Sequence, residues 1–237
     1  MDTASKIYYF FSMSGRNHIF LTNNVYHVYN KTIEQKRIFD DQEICKKFLD
    51  ILTYYRSSQS LLRYSNFQNL SSELKIQYEK RIFDRRTFRI SILSYCLMPT
   101  HFHLLIKQKQ KNGISFFVSQ ALNSFTRYHN IKNERVGPIF LHPFKSKYIQ
   151  TEEQLKHVSR YIHLNPFSSG IVKEETELEY YSWSSFGQYL SQKNDSISET
   201  KFILSLFNND KTRYKKFVLD NAEHQKMLEY CKYSKRW

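Results

Sequence analysis

The chain has 237 residues, with 36 Lys and Arg against 22 Asp and Glu, for a formal charge of +14. Hydrophobic residues make up 41% and aromatic residues 16%, which excludes a disordered chain and allows a sizeable core. No apolar run approaches the ~20 residues needed to span a bilayer, and the opening MDTASKIYYFFSMSGR does not read as a signal peptide. A cytoplasmic protein with no membrane partner is expected.

In chain order, NVYHVYNK (24–31) alternates β-branched and aromatic residues and predicts a strand. DDQEICKKFLDILTYYRSS (40–58) carries Ile44, Phe48, Ile51, Leu52 and Tyr55 at helical spacing behind acidic residues, and predicts a helix. Residues 59–87 read as helical and basic. Two strands, 87–98 and 101–108, follow around a Pro-Thr turn, then a helix over 113–133, an extended segment over 138–149 and a helix over 151–165. The order β, α, β, β, α, β, α predicts an α+β, ferredoxin-like antiparallel sheet with helices packed on one face. No linker rich in Gly, Pro or Ser divides the chain. The expected organisation is a main domain over 1–190, with an insertion at 59–87, and a C-terminal helical extension over 191–237.

Cys45, Cys96 and Cys231 are too few and too scattered for a disulfide framework or a Cys-based zinc site, so buried thiols are expected. The positive charge, together with abundant aromatic rings, fits a nucleic-acid partner: cations attract phosphates and ring faces stack on unpaired bases. An AT-rich coding sequence would give the same composition.

The chemistry concentrates in SYCLMPTHFHLLIKQ. His101 and His103 are two residues apart on a strand and therefore project from one face. On the later helix, Thr151 and Gln154 form a capping-box pattern, Pro166 is expected to end the helix, and Tyr161 and Asn165 share a face one turn apart. If that helix lies beside the histidine strand, two imidazoles and an amide oxygen could hold a divalent ion, an arrangement suited to phosphoryl transfer. An ordinary tyrosine ionises near ~10, so a tyrosine nucleophile needs charge stabilisation from such an ion. His157 sits one turn before Tyr161 on the same face and competes with Asn165 as a third ligand, whereas His163 faces elsewhere.

The segments YHVYNKTIEQKRIF, SYCLMPTHFHLLI, RVGPIFLHPFKSKYI and YIHLNPFSSGIV…YSWSSFGQYL, in that order from Tyr26 to Leu190, resemble the REP-associated tyrosine transposases. These are a branch of the single-tyrosine, His-hydrophobe-His (HUH) transposases. The resemblance implies that His101, His103 and Asn165 ligate Mg²⁺ or Mn²⁺ and that Tyr161 is the nucleophile. The implied substrate is single-stranded DNA with a REP-like hairpin, cut to leave a 5′-phosphotyrosine and a free 3′ hydroxyl. The chain departs from the family at the 59–87 insertion, in the sequence beyond about 197, and at Asn30-Lys31, where Lys replaces the usual Arg and its two-pronged phosphate contact.

Lys31, Lys107, Lys109, Arg127, Lys145 and Lys147 are the expected phosphate contacts, and Arg81, Arg85, Arg86 and Arg89 are candidates for gripping a hairpin stem. The acting form is a monomer or a homodimer. Two other readings share these residues: a DNA-binding protein that does not cleave, and a metallohydrolase with zinc on His101, His103 and His157.

Overall fold

The computed structural model describes residues 19–191 and 197–234. Its centre is a four-stranded antiparallel sheet in the order β2-β3-β1-β4, built from β1 (Val25–Lys31), β2 (Ile90–Met98), β3 (His101–Gln108) and β4 (Lys145–Ile149). The hairpin of β2 and β3 turns at Pro99-Thr100, with Met98 paired to His101. This is the ferredoxin-like order expected from the sequence.

Helices α1 (Gln42–Tyr55) and α4 (Gly113–Lys132) cover one face. The Asp41 side chain caps α1 by accepting from the Glu43 and Ile44 amides at 2.8 and 3.3 Å. Ile44, Phe48, Ile51, Leu52 and Tyr55 of α1 then meet Ile114, Phe117, Val118, Ala121 and Phe125 of α4 over Val28, Phe102, Leu104 and Ile106 of the sheet. The first residue of α4 must be Gly113, because a Cβ there would collide with the Arg89 carbonyl. Residues 59–87 form α2 (Tyr64–Gln68) and α3 (Ser72–Ile82), and bury Tyr64, Phe67 and Ile82 in the same core.

The second face is covered too, an addition to the one-faced arrangement expected. It carries α5 (Glu152–Ser168), α6 (Phe186–Leu190), α7 (Thr200–Leu204), α8 (Lys211–Leu219) and α9 (Ala222–Ser234). Leu93, Cys96 and Leu105 of the sheet join Ile162, Leu164, Tyr189, Phe207, Tyr214 and Val218 in a second core. The segment after residue 197 thus shares a core with α5. The β2 edge is shielded by two stretches of chain, at Trp183, whose carbonyl accepts the Leu97 amide (2.8 Å), and at Glu199, whose amide donates to Ile92 O (2.8 Å).

Two boundaries differ from expectation. Strand structure within 138–149 is confined to β4. Helix α5 runs through Pro166 to Ser168 instead of stopping at Asn165. Leu164, Pro166 and Phe167 are buried, and the Pro166 carbonyl accepts the Ile171 and Val172 amides at 2.9 and 3.0 Å, so tertiary packing outweighs the proline's backbone preference. Among the described residues, no helix is long and apolar enough to cross a membrane.

Candidate active site on the second sheet face

Strand alternation decides which residues meet. On β1, Val25, His27, Tyr29 and Lys31 point toward α5, and the register sets Tyr29 opposite His103 and Lys31 opposite His101. On β4, Lys147 lies opposite His27 and Lys145 opposite Tyr29. One sheet face therefore presents His27, Tyr29, His101 and His103 with Lys31, Lys145 and Lys147 around them, and all three lysines are exposed.

Helix α5 brings Tyr161 onto this cluster. Its ring meets that of His103 edge-on with centroids 5.6 Å apart and that of His27 at 6.1 Å. The His101 and His103 rings are 5.1 Å apart and perpendicular. Asn165, one turn on, is 6% exposed, and its Nδ2 donates to the Tyr161 carbonyl at 2.8 Å. A carbonyl requires a donor, so the amide nitrogen must be on that side, leaving Oδ1 as the group available to a cation. Gln225 of α9 donates to the same carbonyl at 3.1 Å and to Ser168 Oγ at 3.2 Å, tying α9 to α5 at the position of Tyr161.

The imidazoles are held neutral. Burial, reinforced by His27, His101 and Lys31, pushes the His103 pKa well below its ordinary value. Burial and then Lys31 lower His101 to about 4, opposed by Glu229 of α9. Burial and then Lys147 lower His27 to about 4. A neutral imidazole is the ligating form. On both motif histidines Nδ1 is already engaged: His103 Nδ1 with His27 Nε2 at 2.9 Å, and His101 Nδ1 with Thr100 Oγ1 at 3.0 Å. Each ring thus has Nε2 as the nitrogen for an incoming ion, with its orientation fixed from behind. Two neutral imidazoles and an amide oxygen form a donor set suited to Mn²⁺ or Mg²⁺.

His27 is the site residue that sequence reasoning missed. Its signal lies in VYHVYNK, where the polar residues 27, 29 and 31 fall on one face, but the bond to His103 depends on strand pairing.

The other expected residues separate. Exposed His157 is engaged with Arg160 (2.7 Å), Glu153 (3.4 Å) and the ring of Phe217, so it is not a third imidazole beside His101 and His103. Among the described residues no three or more His, Cys, Asp or Glu form a metal-holding group, so His157 is not clustered with His101 and His103. His163 faces elsewhere, as expected, bonding Ser185 Oγ and Tyr214 OH at 2.8 Å each. Lys107 shares the site's sheet face but lies toward the far end of β3, with its ammonium 4.5 Å from the centre of the Phe202 ring. Lys109 Nζ donates to the Arg85 carbonyl at 3.1 Å, and Arg127 lies on α4, across the sheet. Arg89 is buried, with its guanidinium bonded to Ser57 O and stacked 4.0 Å from the Phe116 ring, so it cannot grip a hairpin. Asn30 faces the first core and supports the Leu141 carbonyl at 2.9 Å. Cys45 and Cys96 are buried, as expected, and Cys231 is exposed.

No protein-family model matches the sequence, and no curated protein matches it closely enough to count as a relative. Among solved structures, a REP-associated tyrosine transposase bound to a REP hairpin superposes with a TM-score of 0.51 and 13% identity, over 78% of this chain and 90% of that one. The two share a fold. Two complexes of a bacterial tRNA(His) guanylyltransferase-like protein, with ATP and with GTP, align with TM-scores of 0.37 and 0.40 at 9% and 10% identity. They cover 77% and 92% of this chain and 78% and 100% of their own, and no inference rests on them.

Proposed function

We propose that the protein is a metal-dependent, single-tyrosine DNA endonuclease and strand transferase of the HUH type, acting on single-stranded DNA beside a hairpin. The observation that carries this reading is the approach of Tyr161 to His103 and His27, one helical turn before Asn165. The shared fold with a transposase bound to a REP hairpin supports the choice of substrate.

His101 and His103 through Nε2, with Asn165 through Oδ1, would hold one Mg²⁺ or Mn²⁺. Such an ion supplies Lewis-acid polarisation of a phosphate oxygen and offsets charge in the transition state. The remaining steps belong to the chain itself. Lys31, Lys145 and Lys147 attract and align the strand's phosphates across the sheet face. The Tyr161 oxygen attacks phosphorus, the bond to the 3′ oxygen breaks, the phenol proton passes to solvent and the departing 3′ oxygen takes up a proton. The product is a 5′-phosphotyrosine with a free 3′ hydroxyl, and attack by another 3′ hydroxyl reverses the step onto a new strand. Storing the bond distinguishes this route from hydrolysis.

The test is incubation with a library of labelled single-stranded hairpins and Mn²⁺ or Mg²⁺. SDS-resistant, metal-dependent adducts are expected. Binding without adduct under every metal condition would favour a DNA-binding protein that does not cleave.

A further inference from the structure

Arg127 has no place at the candidate active site, yet it sits in a constructed setting. Helix α2 packs against α1, and with α1 and α4 it lines a cavity of about 560 Å³ on the outer side of the helical layer, across the sheet from Tyr161. Its wall is fixed, because Tyr55 OH accepts the Tyr64 amide at 3.1 Å and pins the start of α2 to α1. The lining combines aromatic rings (Tyr64, Tyr128), amides (Gln120, Asn123) and cations (Lys47, Arg63, Arg127, Lys132).

The cations are not neutralised equally. Lys132 is paired with Glu43 at 2.7 Å, and Tyr128 OH donates to that same carboxylate at 2.9 Å. Lys47 lies over two rings, 5.2 Å from the centre of Tyr128 and 5.6 Å from that of Tyr64. Arg63 and Arg127 are exposed and form no ion pair among the described residues. A second cavity of about 430 Å³ shares Asn123, Arg127 and Ile131 with the first, so Arg127 stands between two hollows along α4.

Flat aromatic walls with amides suit a nucleobase, and unpaired guanidinium groups at its rim suit the attached phosphate. We propose that this cavity is a second nucleic-acid site, taking a nucleobase between α2 and α4 with its phosphate against Arg127 and Arg63. It is separate from the nuclease reading and takes one wall from α2. A strand held there would be gripped on the side of the molecule opposite the scissile phosphate. A free mononucleotide presents the same chemistry.

The test uses the full chain carrying Tyr161→Phe, so that binding is read without cleavage. A single-stranded oligodeoxythymidine containing 5-iodo-deoxyuridine is photo-crosslinked to it and the tryptic peptides are mapped. Label is expected on residues 64–75 or 128–132, and is expected to disappear in an Arg63→Ala, Arg127→Ala variant. That variant should also lower the salt slope of binding by about 0.7, for the one phosphate no longer neutralised. Label abolished by excess thymidine monophosphate would assign the cavity to a free nucleotide, and label that persists would assign it to a strand. Label confined to the peptides of β1, β4 and α5, or an unchanged pattern and slope in the double variant, would overturn the proposal. Hairpin adduct formation by the unsubstituted protein reports on the nuclease reading separately.

Discussion

The two faces of the sheet are built from alternate residues of the same strands and have opposite character. Toward α1 and α4, Phe102 meets Phe48 and Phe140 with ring centroids 5.1 and 5.6 Å apart, in a core built of apolar and aromatic side chains. Toward α5, the neighbouring positions carry His101 and His103, with His27 and Tyr29 beside them. Among the described residues, the buried histidines His27, His103 and His163 all belong to this second side. The first face can therefore anchor the fold while the second uses burial to hold imidazoles neutral and oriented. Substitutions one residue apart should separate stability from chemistry.

The largest expected effect is on the first face. Phe102→Ala removes a ring that is 1% exposed and should cost about 3–5 kcal/mol in urea unfolding. A change below about 1 kcal/mol would show that this face is not the anchor. His27→Ala, on the other face, leaves His103 Nδ1 buried without its partner. An intermediate cost of about 1–3 kcal/mol is expected. If His103 ligates the metal as proposed, calorimetric titration with Mn²⁺ should also show affinity reduced about 10- to 100-fold once its ring lacks the orienting bond.

Acid sensitivity sharpens the contrast. Burial lowers His163 to about 3, against an ordinary value of 6.5. Above pH 6.5 the group is neutral in both folded and unfolded chains, and it imposes no penalty. As pH falls from 6.5 toward 3 the unfolded chain takes up a proton that the folded one refuses, so stability drops by about 1.4 kcal/mol per pH unit for this group. Urea midpoints between about pH 7 and 4 should fall, and His163→Gln should remove one proton's share of the slope. An equal slope in the variant would place acid sensitivity elsewhere. The smallest effect on stability, within about 0.5 kcal/mol, is expected from Lys145→Ala with Lys147→Ala, both exposed on β4. The same pair should lower the salt slope for single-stranded DNA by about 1.4.

Much of this contrast is legible in the sequence because strand alternation and helical spacing are local signals. The β2–β3 hairpin, α1, α4 and the shared face of Tyr161 and Asn165 follow from periodicity and from the turn at Pro99. Features that depend on distant packing are not legible. The end of α5 lies beyond its expected place because burial of Leu164 and Phe167 carries the helix past Pro166. The His27–His103 bond needs the β1–β3 register, and the bond from Gln225 to the Tyr161 carbonyl needs α9 folded back over α5. Basic character alone groups Arg127 with the site, whereas the sheet separates them.

The site contains a second phenol: Tyr29, on β1, whose ring centroid lies 5.8 Å from that of His103. Tyr161 is distinguished from it by sharing a helix face with Asn165. The most direct measurement is therefore tryptic mapping, by mass spectrometry, of the SDS-stable adduct formed with a hairpin oligonucleotide and Mn²⁺. The nucleotide is expected on the peptide spanning residues 161–173, and Tyr161→Phe is expected to form no adduct while still binding DNA. Nucleotide on the peptide ending at Lys31, or undiminished adduct from Tyr161→Phe, would contradict the assignment of Tyr161 as the nucleophile.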